Sequence, residues 1–208
     1  MLIDFVYCRR MTERVQLALE LAEEVSEKIR IAFARRDHRL SEKSANDFAT
    51  DTDPAIEEHI ASRIVAAFLG DTLLGEEGGE RVLGNAATTD VRWIVDPLDS
   101  TFNFIRGFPY VATSIAIEAA GDIKFGLIDA PLQREFFSAG KDLGTRLHAR
   151  GKAPVKLVIS SCVALSKTLV GSVLPSATNA SLARVLLAWT RIASHCGSVR
   201  RTGVAVLD

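Results

Sequence analysis

VRWIVDPLDSTFNFIRGFP, residues 91–109, is the stretch on which the fold turns. Val91 to Val95 is short and apolar enough to read as a central strand. It runs straight into Asp96 and Asp99, two carboxylates flanking a proline-kinked turn. Ser100, Thr101 and an aromatic-rich segment follow at once. Two carboxylates on one rigid turn suit a cation better than a core, because a buried charge without a partner is costly. A second acidic island, LLGEEG, precedes it at residues 73–78. Its glycines allow the backbone to turn tightly and bring a carboxylate inward, although an exposed acidic turn is the commoner reading of GEEG alone.

Upstream, TERVQLALELAEEVSEKIRIAFARR places Val15, Ala18, Ala22, Val25 and Ile29 at steps of three and four. That spacing predicts an amphipathic packing helix, with Thr12 as its N-cap and the terminal arginines complementing its dipole. The first ten residues read as an extension. Residues 37–51 are polar and read as a loop or an exposed hairpin. In FATDTDPAIEEHIASRIVAAF, Asp53 before Pro54 signals a helix start, with Ile56, Ile60, Ile64 and Phe68 on its buried face. Asp53 is therefore a cap, a functional carboxylate, or both.

Downstream, residues 81–90 read as a loop. VATSIAIEAA and DIKFGLIDA form two strands joined at Gly121-Asp122, and QREFFSA reads as a third. Helices followed by strands argue for an α+β layered fold. Residues 140–154, rich in glycine and charge, mark a candidate boundary, which gives an N-terminal α+β metal-site domain (11–145) and a C-terminal α/β domain (146–208). In the latter, VKLVISS reads as a buried strand. Residues 181–196 read as a helix with Leu182, Val185, Leu186 and Trp189 on its apolar side, and GSVRRTGVAVLD as a strand leading into another helix.

The whole-chain balance narrows the function. A net charge of -1 gives no electrostatic case for nucleic acid or a membrane surface. No apolar run reaches the length of a membrane span, and MLIDFVYCRR lacks the features of a signal peptide. Cys8, Cys162 and Cys196 are odd in number and far apart, which favours reduced thiols in a cytoplasmic protein. His38, His59, His148 and His195 are isolated from one another and receive no catalytic role. Ser160-Ser161-Cys162 lacks a nucleophile-elbow context and reads as strand-end packing.

The acidic islands offer what magnesium takes: hard oxygen ligands, with room for waters. Two such ions about 4 Å apart hold a phosphate ester and generate a nucleophilic water. Asp96 is placed to bridge the islands. The Ser100 and Thr101 amides face an anion if a helical turn begins there, and the Thr101 hydroxyl, partnered by Asp53, is available to orient the water.

These residues resemble the WxxDPxDGTxNFxxGxP signature of the inositol monophosphatase family. KSANDFATDTD, LLGEEG and RRTGVAVLD match further blocks in the family's order, so the likeness covers nearly the whole chain from about Met11. It implies a layered α/β/α/β/α sandwich and a magnesium-dependent, lithium-sensitive phosphatase, usually a homodimer. It also implies roles for single residues. Glu76, Asp96 and the Leu98 carbonyl hold the first ion, Asp96 and Asp99 share the second, and Glu76 assists a third. Glu76, Leu98, Asp99, Ser100 and Thr101 surround the phosphate, Thr101 and Asp53 activate the water, Glu77 stands behind the ligands, and Lys43 lies in a loop over the site.

Three departures stand out. Ser100 replaces a family glycine; this is harmless in ordinary helix-start geometry and costly at a positive φ. Phe102 replaces a smaller residue. The family's remaining aspartate ligand, in a Trp-Asp motif, lies past the equivalent of Asp208, so the resemblance implies a C-terminal truncation with an incomplete second half. Arg200 and Arg201 fit a phosphate or ring contact or a partner subunit. The expected activity is hydrolysis of inositol monophosphate or a related small sugar phosphate. The alternatives are another phosphomonoester (a sugar bisphosphate, nucleotide bisphosphate or histidinol phosphate) and a catalytically impaired homologue with a binding or regulatory role.

Overall fold

The computed structural model describes residues 2–36, 40–44, 47–84, 86, 89–141, 143–172 and 182–208. The chain opens with a long helix, α1 (Leu2–Arg35). The start expected at Thr12 is overturned, because no proline or glycine interrupts the residues before it and the helix runs through them. Its buried stripe, including Ala18, Leu21, Ala22, Val25 and Ile29, follows the expected spacing. Two short strands, β1 (Leu40–Ser44) and β2 (Asp47–Thr50), form an antiparallel hairpin. The second helix, α2 (Thr52–Ala67), buries Ile56, Ile60 and Ile64.

The next eight strands make one sheet. They are β3 (Thr72–Gly75), β4 (Gly79–Val82), β5 (Val91–Asp99), β6 (Ala112–Ala119), β7 (Asp122–Ala130), β8 (Glu135–Gly140), β9 (Gly144–Ala149) and β10 (Val155–Lys156). Their order is β10-β9-β8-β7-β6-β5-β3-β4, eight strands in all. Among the described residues of this sheet, only β3 and β5 pair in parallel; the other neighbours are antiparallel. Between β5 and β6 lies a short helix, α3 (Thr101–Arg106). The segment expected as a loop after the acidic island includes the end of β4, and β9 runs through the glycine-rich stretch expected as a boundary.

The core lies between this sheet and the pair α1 and α2. Val91, Trp93 and Val95 alternate inward along β5 and join Ile115, Ile117, Phe125 and Leu127 in one cluster. A buried ion pair fixes α1 to the sheet. Arg14 donates from Nη2 to Asp71 Oδ1 at 2.6 Å and from Nε to Oδ2 at 2.8 Å. Trp93 Nε1 and Thr89 Oγ1 donate to the same carboxylate at 2.9 and 2.7 Å. The two-pronged geometry and the extra donors offset the cost of removing both charges from water.

The remaining described residues form a small layer. After a 3₁₀ turn (Leu165–Lys167), β11 (Leu169–Gly171) pairs in parallel with β12 (Ser198–Arg200), and α4 (Leu182–Ala193) joins them in sequence. VKLVISS is not a buried strand. Only Val155 and Lys156 pair, at the sheet edge, and the chain then leaves it with Val158 83% and Ile159 96% exposed. Leu182, Val185, Leu186 and Trp189 lie on α4 as expected, but α4 has no buried residue. Ser160-Ser161-Cys162 is exposed rather than packed at a strand end. After β12 the chain forms turns, not the expected helix. Among the described residues, no helix is long and apolar enough to cross a membrane.

Candidate active site

The site is built where β5 breaks its pairing. Asp96 stands opposite Ser114 and Asp99 opposite Ala112, so β5 carries one residue more than β6 between them. This is a β-bulge, a device that re-aims side chains at a strand end. Pro97 suits it, because a residue without an N–H loses nothing where the ladder is interrupted. The Pro97 carbonyl is still satisfied: buried Thr113 Oγ1 donates to it at 2.8 Å. Asp96 Oδ1 accepts the Leu98 N–H at 3.1 Å.

The parallel pairing of β3 with β5 sets Gly75 beside Val95. The next residue, Glu76, donates its N–H to the Val95 carbonyl at 3.2 Å. The two acidic islands thus meet at one end of the sheet. Burial first, and then the charges of Glu76 and Asp99, push Asp96 up to about 7. The Asp96 and Glu76 carboxyl groups also share a hydrogen bond that favours the protonated form of Asp96. Asp99 is raised by burial as well, against the opposing effect of the Val206 and Ala205 amides. Val206 N–H reaches Asp99 Oδ2 at 3.1 Å.

Asp53 and Thr101, far apart in sequence, are in direct contact. Thr101 Oγ1 donates to Asp53 Oδ1 at 2.8 Å, and Thr50 donates to Oδ2 from N at 2.9 Å and from Oγ1 at 2.6 Å. Asp53 is 1% exposed. It is not the helix cap; Asp51 occupies that position. From the first turn of α2, Asp53 instead points back to β2 and across to α3. Thr101 Oγ1 also lies 3.3 Å from the Leu98 carbonyl.

Ser100 adopts φ 72° and ψ 58°, the left-handed region. Of the two readings open in the sequence, the costly one holds, since a side chain here is strained by about 1–2 kcal/mol. Beside Ser100 a cleft of ≈ 550 Å³ opens between α3 and residues 201–203, lined by Phe102, Asn103, Phe108 and Arg201. Phe102 is 49% exposed in it. Arg201 therefore stands near the turn, whereas Arg200 ends β12 and is exposed. Lys43 lies on β1, and His38 lies outside the described residues.

Three organising residues escaped sequence reasoning. Asn103 Nδ2 donates to the carbonyls of Tyr110 at 2.8 Å and Thr202 at 2.9 Å, joining α3 to the C-terminal segment. Thr50 completes the shell of Asp53. Glu57, 2% exposed, accepts the N–H groups of Glu77 at 2.8 Å and Gly78 at 2.9 Å. Its position four residues after Asp53, on the same helical face, is a readable signal.

Among the described residues, no three acidic, histidine or cysteine side chains close into a ready-made cation cage. The donors nevertheless fit a hard divalent cation. Glu76 and Asp96 are mutually repelling oxygen donors at one point, and the charge they accumulate is what such an ion neutralises. The Leu98 carbonyl and Asp99 belong to the same bulge.

The sequence profile of the inositol monophosphatase family matches residues 10–208. The Nus factor SuhB of Pseudomonas aeruginosa is 31% identical over 201 residues, which cover 95% of this chain and 72% of that protein. The crystal structure of the extragenic suppressor protein suhB from Bartonella henselae superposes with a TM-score of 0.85 at 25% identity, covering 94% of this chain and 72% of that one. The same fold, with a TM-score of 0.70 at 23% identity, occurs in inositol monophosphate bound SaIMPase-II, over 95% of this chain and 68% of that one.

Proposed function

The chain belongs to the inositol monophosphatase family, and from that premise we propose that it is a magnesium-dependent phosphomonoesterase acting on inositol monophosphate or a similar small sugar phosphate. The observation that carries this reading is the Asp53–Thr101 hydrogen bond of 2.8 Å, set beside the bulge that presents Asp96, Leu98 and Asp99. Membership supports the reaction class, and the inositol monophosphate bound to a protein of the same fold supports the substrate class.

In this reading Glu76, Asp96, Asp99 and the Leu98 carbonyl hold two or three magnesium ions. When bound, these ions polarise the phosphate and lower the pKa of water. The protein's own part is a proton path. Thr101 Oγ1 already donates its hydrogen to Asp53 Oδ1, so its lone pairs face outward to accept a hydrogen bond from water. As water oxygen bonds to phosphorus and the ester P–O bond breaks, the water proton passes to Thr101 Oγ1 and the threonine proton to Asp53, while the leaving ester oxygen keeps the bonding pair and takes a proton from solvent water to depart as the alcohol. The Ser100 and Thr101 amides line the phosphate. Asn103 keeps the segment bearing Val206 on Asp99, and Arg201 in the adjoining cleft meets an anionic or polyhydroxylated leaving group.

Dimerisation, lithium inhibition and a cytoplasmic location belong to the same proposal. A second reading, regulatory protein binding in place of or beside hydrolysis, is favoured by the name Nus factor carried by the Pseudomonas relative. One assay separates them. Magnesium-dependent phosphate release from inositol monophosphate is expected from the parent chain, with Asp96→Asn reduced on the order of 100-fold or more. Thr101→Val should lose activity similarly while still binding Mn2+. Parent activity no greater than that of Asp96→Asn would overturn the enzymatic reading and leave the binding role.

A further inference from the structure

Glu57 is a buried carboxylate that the proposed proton path does not use. Its two oxygens accept successive backbone N–H groups, Glu77 at 2.8 Å on Oε2 and Gly78 at 2.9 Å on Oε1. Successive amides aimed at one carboxylate form a concave nest. The fit is close: a Cβ on Gly75 would fall 2.3 Å from the Glu57 carboxylate, and one on Gly78 2.7 Å from Oε1, so either would displace that carboxylate. Arg81 Nη2, 3.7 Å from Oε1, lies at the open side. Glu57 is one helical turn beyond Asp53, so a single face of α2 grips both halves of the site. Asp53 holds Thr101, and Glu57 holds the turn that carries Glu76.

We propose that Glu57 is a positioning residue that locks the 75–78 turn and thereby fixes Glu76 against Asp96 for cation binding. This rests on the metal-site reading above. Glu57→Gln is the discriminating change, because its amide group sets a donor against a donor at one of the two N–H groups and frees the turn. Ile60→Val is the control. It trims the same helix in the core without touching the turn.

The probe is Mn2+, an oxygen-seeking divalent ion, titrated calorimetrically well below each variant's melting temperature. Glu57→Gln is expected to weaken Mn2+ binding about 10–100-fold. Ile60→Val should lower the melting temperature and leave Mn2+ binding unchanged. Equal Mn2+ affinity in Glu57→Gln and parent overturns the proposal. So does an equal loss in Ile60→Val, which would mark a general effect of stability. If Glu57→Gln does not fold, amide exchange of the parent decides. Protected Glu77 and Gly78 amides in the cation-free protein support the lock, and free exchange overturns it. A parent that binds no Mn2+ while keeping those amides protected sinks the metal-site reading and leaves the lock standing.

Discussion

Ser100 shows how much one backbone angle carries. Its φ of 72° is the conformation that glycine adopts at little cost, and the sequence places a serine there. The turn is held by its surroundings: Thr101 is bonded to Asp53, and the Asn103 amide is bonded to Tyr110 and Thr202. Those contacts enforce the angle, and the strain is the cost. Ser100→Gly is therefore expected to raise stability by about 1 kcal/mol, a rise of about 2–4 °C in melting temperature for a chain of this size. An unchanged or lower melting temperature by calorimetry would show that the loop relaxes around serine without strain.

At the scale of elements, the contact of α1 with β7 contains a buried acid with an incomplete shell. Asp129 is 2% exposed, and among the described residues its Oδ2 has no hydrogen-bond partner. Burial pushes it up to about 7; Ser26, Arg150 and Arg30 pull it down and Glu23 adds to the rise. The folded state thus holds a proton that the unfolded chain releases near pH 4. The stability Asp129 contributes is complete below about pH 4, declines as pH rises from there, and is gone above about pH 7. Asp129→Asn should flatten the fall in stability between pH 5 and pH 8 and gain most at pH 8. Denaturant melts across that range check it, and a parallel fall in the variant would assign the slope to other groups. Most elements were legible in the chain because their apolar periodicity is strong. The acidic islands and the Asp53–Thr101 pair were legible through family resemblance and residue chemistry together. Helix ends were not: the residues before Thr12 continue α1, and Asp53 spends its carboxylate on Thr50 and Thr101 instead of capping α2. Nor was the exposure of Val158 and Ile159, because an apolar run announces a strand whether or not a neighbour is there to pair with it.

Across the whole molecule, packing is uneven. The large sheet with α1 and α2 contains nearly all buried apolar residues, whereas residues 158–169 include Val158, Ile159, Val163 and Leu169 at 66–100% exposure. Segments with few buried contacts open at little cost. Limited trypsin digestion should first cut after Lys156 or Lys167 and leave 47–141 intact, as read by mass spectrometry. First cuts inside the sheet would overturn that order. The parallel pairing of β3 with β5 has a further consequence, which concerns time. From β5 to β10 the sheet is a run of neighbouring hairpins, and such contacts close quickly because little chain lies between them. β3 first finds β4 in a tight hairpin and meets β5 only across the connection that contains β4, so that loop must close before any β3–β5 contact rewards it. Glu76 is attached to that late arrival, while Asp96 and Asp99 are attached to the early hairpins. On the metal-site reading proposed above, divalent-cation binding during refolding is therefore expected to appear only when β3 has joined β5, the moment at which the two acidic islands become one site.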